Sequence, residues 1–569
     1  MTFTKTQGNL ANQLIDVVKQ ENNIDELNAR LQKSFGIGRF INSELERESF
    51  LMFLHKKNLR HSSEIDFGDF QTPSTLAIKV CQTLKDFGVR PQILIEPTCG
   101  AGNFVLAALE TFPSIQTVYC VELQEHYEWL LKLNLIHFLD SHKRELLKIK
   151  FYRDNLFTHD FPNEVKTNKT LILGNPPWVT NAELSGFNSK NLPEKTNFKG
   201  FSGLEAMTGK SNFDIAEYMM LKLLGDFAES GATLAMLCKT TVARNIIRDS
   251  KNCAFTLSNP ISFVFDAKKE FGVSTDAVLF YSQTGGRPAQ NKCEVRLLEN
   301  PRKKLRTFGW AGGSFVSDVE GYENVKRFDK FSSLEWRQGV KHDAVSVFVL
   351  EEKDNCLMNG FNEIVNVEAD YTFPFVKGSE LRNGVLKKSN RSIIITQKKV
   401  GEDTSILSKK APKLWQYLKS KEELLKNRKS RIYKNGVDFS IFGIGEYSFS
   451  PYKIAIAGMY KKPHFSLVFP IEEKPVMLDD TTYFIGFNSY SAAVYTWLLL
   501  NAQKTQSLLS SLAFINTQRP YTKEILMRVD LKALANETEF VEIEKVLKHL
   551  TKDSISINEA DFMSYTQEL

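Results

Sequence analysis

Thr170-Leu171-Ile172-Leu173-Gly174-Asn175-Pro176-Pro177-Trp178 is the stretch around which this 569-residue chain is organised. Leu171-Ile172-Leu173 reads as a short buried strand. The two prolines cannot continue it, because proline lacks the N–H and restricts the residue before it. The tip is therefore expected to be a rigid loop at the C-terminal end of a strand, where open α/β sheets hold their ligands. There the Asn175 amide oxygen and the Pro176 carbonyl can accept hydrogen bonds from an exocyclic amino group, while Trp178 stacks on the base that carries it.

A second strand tip precedes it. Gln92-Ile93-Leu94-Ile95 runs into Glu96-Pro97-Thr98-Cys99-Gly100-Ala101-Gly102-Asn103-Phe104 and then a helix, Val105 to Leu109. The glycines let the backbone turn sharply beside a ligand. A dinucleotide site would want three glycines with phosphates at the helix N-terminus. Here there are two, beside an acid, and a carboxylate suits a cationic amino group, so S-adenosylmethionine (SAM) is favoured over NAD. Thr117 to Val121 reads as the next strand and ends at Glu122, 26 residues after Glu96. An acid there can accept both ribose hydroxyls of an adenosine. A helix from Glu125 and a strand near Ile149-Lys150-Phe151-Tyr152 follow, then Arg153-Asp154-Asn155.

Asn-Pro-Pro-aromatic, preceded by Glu-Pro-x-x-Gly-x-Gly, resembles the signature of SAM-dependent N6-adenine amino-methyltransferases of the bacterial restriction–modification type. The resemblance covers residues 68 to 285 specifically and the remainder loosely. It implies an α/β, Rossmann-like seven-stranded sheet with a closing antiparallel hairpin, N-terminal helices, and a mixed α+β target-recognition domain. It implies that Asn175, Pro176, Pro177 and Trp178 are catalytic. Phe70 and Thr72, in Gly68-Asp69-Phe70-Gln71-Thr72-Pro73, would pack over the methionine end of SAM. Thr98, Gly100, Gly102, Glu96 and Glu122 would surround the cofactor, and Asp154 would bind its adenine amino group. Asn155 stands where many relatives carry a bulky apolar residue. Phe271, from the loop between strands Ile261–Phe265 and Asp276–Phe280, would stack on the target base, with Phe265 second. The implied activity is site-specific methylation of N6 on an adenine flipped out of double-stranded DNA, needing neither a metal nor a cysteine nucleophile. The same tetrapeptide also serves methyltransferases of RNA guanine N2 and of protein glutamine. A SAM-binding, non-catalytic DNA-binding protein is a third alternative.

Length alone suggests two or three domains. The expected divisions are 1–64, an amphipathic helical segment; 65–289, the catalytic domain; and 290–569, the recognition domain. In the first, Leu10, Leu14, Val17 and Val18 share a face, and a packing role is expected. Thr72-Pro73 reads as the start of the next helix, with Thr72 as its cap. The seven cysteines are scattered with no Cys-x-x-Cys, which suits free thiols in a reducing cytoplasm and argues against structural zinc. No long apolar run suggests a membrane span, and the first residues are polar, unlike a secretory signal. A cytoplasmic location follows as the expectation. No Pro-Asp…Asp/Glu-x-Lys cluster marks the first 64 residues, so a cognate restriction endonuclease is expected on a separate chain.

Charge is uneven. Between Lys377 and Lys434 stand 17 Lys or Arg against 5 Asp or Glu, while the whole chain carries only +6. A local basic excess is the electrostatic footprint of a polyphosphate partner, and Trp415, Tyr417 and Tyr433 are interleaved with it. Lys377, Arg382, Arg391, Arg431 and Arg519 are the expected DNA-binding residues, contacting phosphate more than base.

Overall fold

In the computed structural model Leu171–Leu173 lies inside a ten-stranded sheet. The structure describes residues 5–35, 40–56, 71–142, 147–179, 214–286, 290–354, 356–434, 436–553 and 555–569. The strands are β1 (Ile93–Glu96), β2 (Thr117–Glu122), β3 (Lys148–Arg153), β4 (Thr170–Gly174), β5 (Thr233–Lys239), β6 (Leu257–Phe265), β7 (Ala277–Thr284), β8 (Lys292–Leu297), β9 (Lys304–Ala311) and β10 (Ser314–Val316). Their order is β10-β9-β8-β6-β7-β5-β4-β1-β2-β3.

The first five strands are mutually parallel, and β7 runs antiparallel to both β5 and β6. Residues 93–284 thus form the expected seven-stranded sheet with its closing hairpin. Every residue of β4 is buried, as befits a parallel strand covered on both faces. The described helices of this region are α4 (Ser74–Asp86), α5 (Asn103–Thr111), α6 (Glu125–Ser141), α7 (Ile215–Asp226), α8 (Thr240–Asp249) and the short α9 (Ala267–Phe271) in the β6–β7 connection, following α1 (Lys5–Gln20), α2 (Ile24–Phe35) and α3 (Glu44–Lys56). From β1 the chain steps outward to β2 and β3, then returns to place β4 on the other side of β1. The crevice beyond the C-terminal ends of β1 and β4 is therefore a topological switch point, the ligand site of open α/β sheets.

The sheet does not end near residue 289: β8 pairs parallel with β6, and β9 antiparallel with β8. The chain divides instead into compact units at Met1–Phe315 and Val316–Leu569. An edge strand presents unpaired N–H and C=O groups, and β8 satisfies those of β6. The N-terminal helices pack into the first unit. Leu10, Leu14, Val18, Leu27, Leu31, Phe50 and Leu54 share one core with Leu94, Val105, Leu131 and Leu171. The Phe50 ring lies 5.2 Å from that of Trp129 on α6.

The second unit is mixed α+β, as expected. It holds two five-stranded sheets and a helical C-terminal part in which Tyr490–Asn501 buries Ala493 through Leu500. Among the described residues no helix is long and apolar enough to cross a membrane.

Candidate active site

The glycine turn after β1 is built almost wholly from hydrogen bonds to its own protein. Gly100 and Gly102 adopt φ of +47° and +82°, the left-handed region that glycine enters without penalty. The Gly100 N–H donates to Glu122 Oε2 at 2.9 Å. The Ala101 N–H donates to Gln71 Oε1 at 3.1 Å, and the Gly102 N–H to the Cys99 carbonyl at 2.8 Å. Asn134 Nδ2, on α6, donates to the Ala101 carbonyl at 3.0 Å. A turn held this way keeps one shape before any ligand arrives.

Glu96 faces inward. Its Oε2 accepts the Val105 N–H at 3.2 Å, so it caps α5 from the end of β1, and its described contact is with backbone rather than open cleft. Burial, with the Cys120 thiol nearby, holds the Glu96 carboxyl well above the usual carboxylate range. Glu122 is better placed for a ligand. It is half-buried, and one oxygen takes the Gly100 N–H while the other takes the Gln124 N–H, both at 2.9 Å. A carboxylate offers about four acceptor sites, so a ribose diol can share it.

Asp154, at the tip of β3, has its side chain 45% exposed and lies 2.7 Å from His159 Nδ1. A carboxylate only accepts, so that ring nitrogen carries the proton. The His159 hydrogen bond, with help from the Asn155 N–H, holds the Asp154 carboxyl below its ordinary range. Asn155 is turned to its own loop, its Oδ1 accepting the Phe157 N–H at 3.0 Å. Thr72 is buried, and its carbonyl accepts from Asn103 Nδ2 at 2.7 Å. The 71–72 segment thus lies on the glycine turn. Its helix, however, starts at Ser74 after Pro73, with no side-chain cap. Phe70 lies outside the described residues.

The Asn175 loop stands beside this turn because β4 pairs directly with β1. Thr98 Oγ1 donates to the Asn175 carbonyl at 3.4 Å, a long bond joining the two loops. Gly174 has no side chain to separate them: a Cβ there would meet Pro97 Cδ at 3.3 Å. Trp178 is buried and meets Phe271 edge-on, centroids 5.3 Å apart and planes at 68°. Residues 93 positions apart in sequence are brought together because α9 lies in the β6–β7 connection. Phe265 lies 6.2 Å behind Phe271 and is itself buried in the core.

Residue-by-residue reading missed three partners. Gln71 supports the glycine turn, His159 holds Asp154, and Lys239 binds Asp214 at 2.9 Å. Only Gln71, next to Thr72, carried a local signal. The fit to SAM rests on the donor set: a half-buried carboxylate at one strand tip, a half-exposed one at the next, and a tight two-glycine turn.

In the second unit the expected DNA contacts divide. Arg391 lies between Glu351 and Glu380, at 3.2 and 3.0 Å, Lys377 is half-buried, and Arg519 donates to the Asp480 carbonyl at 3.4 Å. Arg382 and Arg431 are exposed, as are Lys409, Lys410, Lys413, Lys429 and Lys434. The aromatics interleaved with the basic segment serve packing. Trp415 and Tyr417 pack against the core of this unit, and the Tyr433 ring lies 3.7 Å from the Arg428 guanidinium. Leu414, Leu418 and Leu425 are buried, and their inward face carries Trp415 and Tyr417 with it.

No family model matches the chain. It is 39% identical over 477 residues to the type II methyltransferase M.NspV of a Nostoc species, covering 83% of this chain and 98% of that protein. Among solved structures it is similar to the type IIL restriction–modification enzyme MmeI, determined in complex with DNA. The TM-score is 0.55 at 13% identity, covering 99% of this chain and 86% of MmeI, a likeness of fold alone. Shared sequence over most of both chains, together with the SAM-type turn and its neighbouring Asn-Pro-Pro-Trp loop, shows that the chain belongs to the type II restriction–modification methyltransferases and uses SAM as its cofactor.

Proposed function

We propose that the chain methylates N6 of adenine at a specific site in double-stranded DNA, with Asn175, Pro176, Pro177 and Trp178 as its catalytic loop. The observation that carries this reading is the adjacency of that loop to the glycine turn on paired strands, bridged by Thr98. A cofactor held at one tip and a base held at the other would meet in one crevice.

When bound, SAM supplies an electrophilic methyl group on a sulfonium. Glu122 binds the ribose, Asp154 the adenine amino group, and Thr98, Gly100 and Gly102 shape the wall. Glu96 and Thr72 support that wall from beneath. The target adenine reaches the site by flipping out of the duplex. Asn175 Oδ1 and the Pro176 carbonyl accept its N6–H bonds, which turns the nitrogen lone pair toward the cleft. Trp178 stacks on the base and Phe271 meets it edge-on. Catalysis is then largely positioning and electrostatic stabilisation. Arg382, Arg431 and the exposed lysines of the second unit contact phosphates, while Lys377, Arg391 and Arg519 shape the surface that carries them. A cognate restriction endonuclease on a separate chain completes the system, in the cytoplasm.

The test is modified-base sequencing of DNA from a methylation-free host expressing the chain, beside the same host carrying Asn175→Ala. The expected result is N6-methyladenine in one recurrent motif, absent with the variant. In vitro, Asn175→Ala should slow transfer by about 10²-fold or more, as for loss of one transition-state hydrogen-bonding group, while SAM binding is retained. N4-methylcytosine in place of N6-methyladenine, or no mark from folded SAM-binding protein, would overturn the assignment.

A further inference from the structure

We infer that the Lys239–Asp214 ion pair is a positioning element of the transfer site, holding the exit of the Asn175–Trp178 loop in register with the Phe271 hairpin. The inference rests on the proposed role of that loop. The pair is 2.9 Å long, with side-chain exposures of 21% and 11%, so it is screened far less than a surface pair. Lys239 ends β5, the parallel neighbour of β4, and lies three residues beyond Met236, which pairs with Gly174.

Asp214 receives the chain as it returns from the loop. The Ile215 N–H donates to the Val179 carbonyl at 3.0 Å, which joins the residue after Trp178 to the start of α7. Asp214 Oδ1 accepts the Ala216 N–H at 3.0 Å and so caps that helix. On the other side of Lys239, the Thr240 N–H donates to the Asp276 carbonyl at 3.0 Å, tying the end of β5 to the β6–β7 connection. That connection carries Phe271, which contacts Trp178. The links close into a ring: Trp178, Val179, Ile215, Asp214, Lys239, Thr240, Asp276, Phe271 and back to Trp178. Every other link is backbone or ring packing. The ion pair is the charged side-chain link in it, and buried Glu217, one turn along α7, receives Asn245 Nδ2 at 2.9 Å.

A break in the ring leaves cofactor binding, on the far side of β4, untouched and lets the Trp178–Phe271 pair move. A displacement of about 1 Å at a reacting centre can cost up to about 10²-fold in rate. The test compares Lys239→Met, Lys239→Arg, Asp214→Asn and the double variant Lys239→Met/Asp214→Asn in the full chain. Asparagine caps a helix as well as aspartate, so Asp214→Asn removes the charge and keeps the cap. Single-turnover methyl transfer should slow about ten-fold or more in each neutralising single variant. It should be no slower in the double, and Lys239→Arg should recover most of the rate. SAM affinity by calorimetry should stay within about two-fold of the parent.

A second readout needs neither substrate nor turnover: acrylamide quenching of Trp178, taken as the difference between each protein and its Trp178→Phe counterpart. Quenching should increase in both neutralising variants and return toward the parent with Lys239→Arg. Unchanged quenching, single-variant losses that sum in the double, or SAM affinity and melting temperature falling in step with the rate would each overturn the inference. If the parent methylates no DNA, the proposed function fails, and the quenching arm still decides the role of Lys239.

Discussion

Replacing Gly102 with alanine tests whether the SAM turn is shaped by the helix beneath it. Gly102 sits at φ +82°, where an L side chain costs about 1–2 kcal/mol. Its new methyl would clash with Leu131 Cδ1 on α6. Leu131 is fully buried, so its side chain must leave its rotamer inside a packed core, at about 1–3 kcal/mol. Gly102→Ala should therefore destabilise the first unit by about 2–5 kcal/mol. Leu131→Ala alone leaves a cavity and should cost about 2–5 kcal/mol. In the double variant the added methyl enters the space the leucine vacated. The clash is gone while the backbone penalty remains, so the double should lose about 1–3 kcal/mol less than the singles summed. Urea unfolding of the full chain, with hydrogen exchange in α5 and α6 peptides to isolate this unit, measures each corner of the cycle. SAM affinity should follow the same pattern, weakest in Gly102→Ala and partly restored in the double. Additivity within about 0.5 kcal/mol would refute the reasoning, since the two sites would then not meet.

Further outcomes follow from single residues. Glu122→Gln removes a charged acceptor and should weaken SAM binding about 10- to 100-fold, as for a hydrogen bond to a charged group; an unchanged calorimetric Kd would sink its cofactor role. Lys453 is buried in the strand Tyr452–Ala457, with Nζ donating to the Ser450 carbonyl at 2.7 Å, and burial pulls its pKa down to about 7. An unfolded lysine keeps its proton to about pH 10.4. The unfolded state therefore binds more protons between about pH 7 and 10.4, and this group's contribution to stability rises with pH across that window. Lys453→Met should stabilise the second unit by on the order of 2 kcal/mol at pH 7, a gain that shrinks toward pH 10. An equal gain at both pH values, read by denaturant unfolding, would show that burial of the charge is not the cause.

What the sequence by itself determined was local chemistry at strand ends. A strand stopped by Pro176-Pro177, a two-glycine turn after Glu96, and acids at Glu122 and Asp154 each follow from residues within a few positions of one another. Local runs likewise placed β1 to β4, β6 and β7 and the helices after β1 and β2, because backbone preference and burial pattern are read along the chain. Even β8 shows alternation in Cys293 and Val295, but which strand it would join could not be read from it. Tertiary structure decided what pairs with what. It turned Glu96 inward onto Val105, gave Asp154 a partner in His159, and set Arg391 between two glutamates. It buried the faces of Trp415 and Tyr417 and carried Phe271 across to Trp178. Lys239 and Asp214, each unremarkable in sequence, met only because β5 ends and α7 begins at the same edge. Hydrogen bonds and ion pairs between distant residues depend on where strands lie side by side, and that register is set by the packing of the whole unit rather than by any one segment.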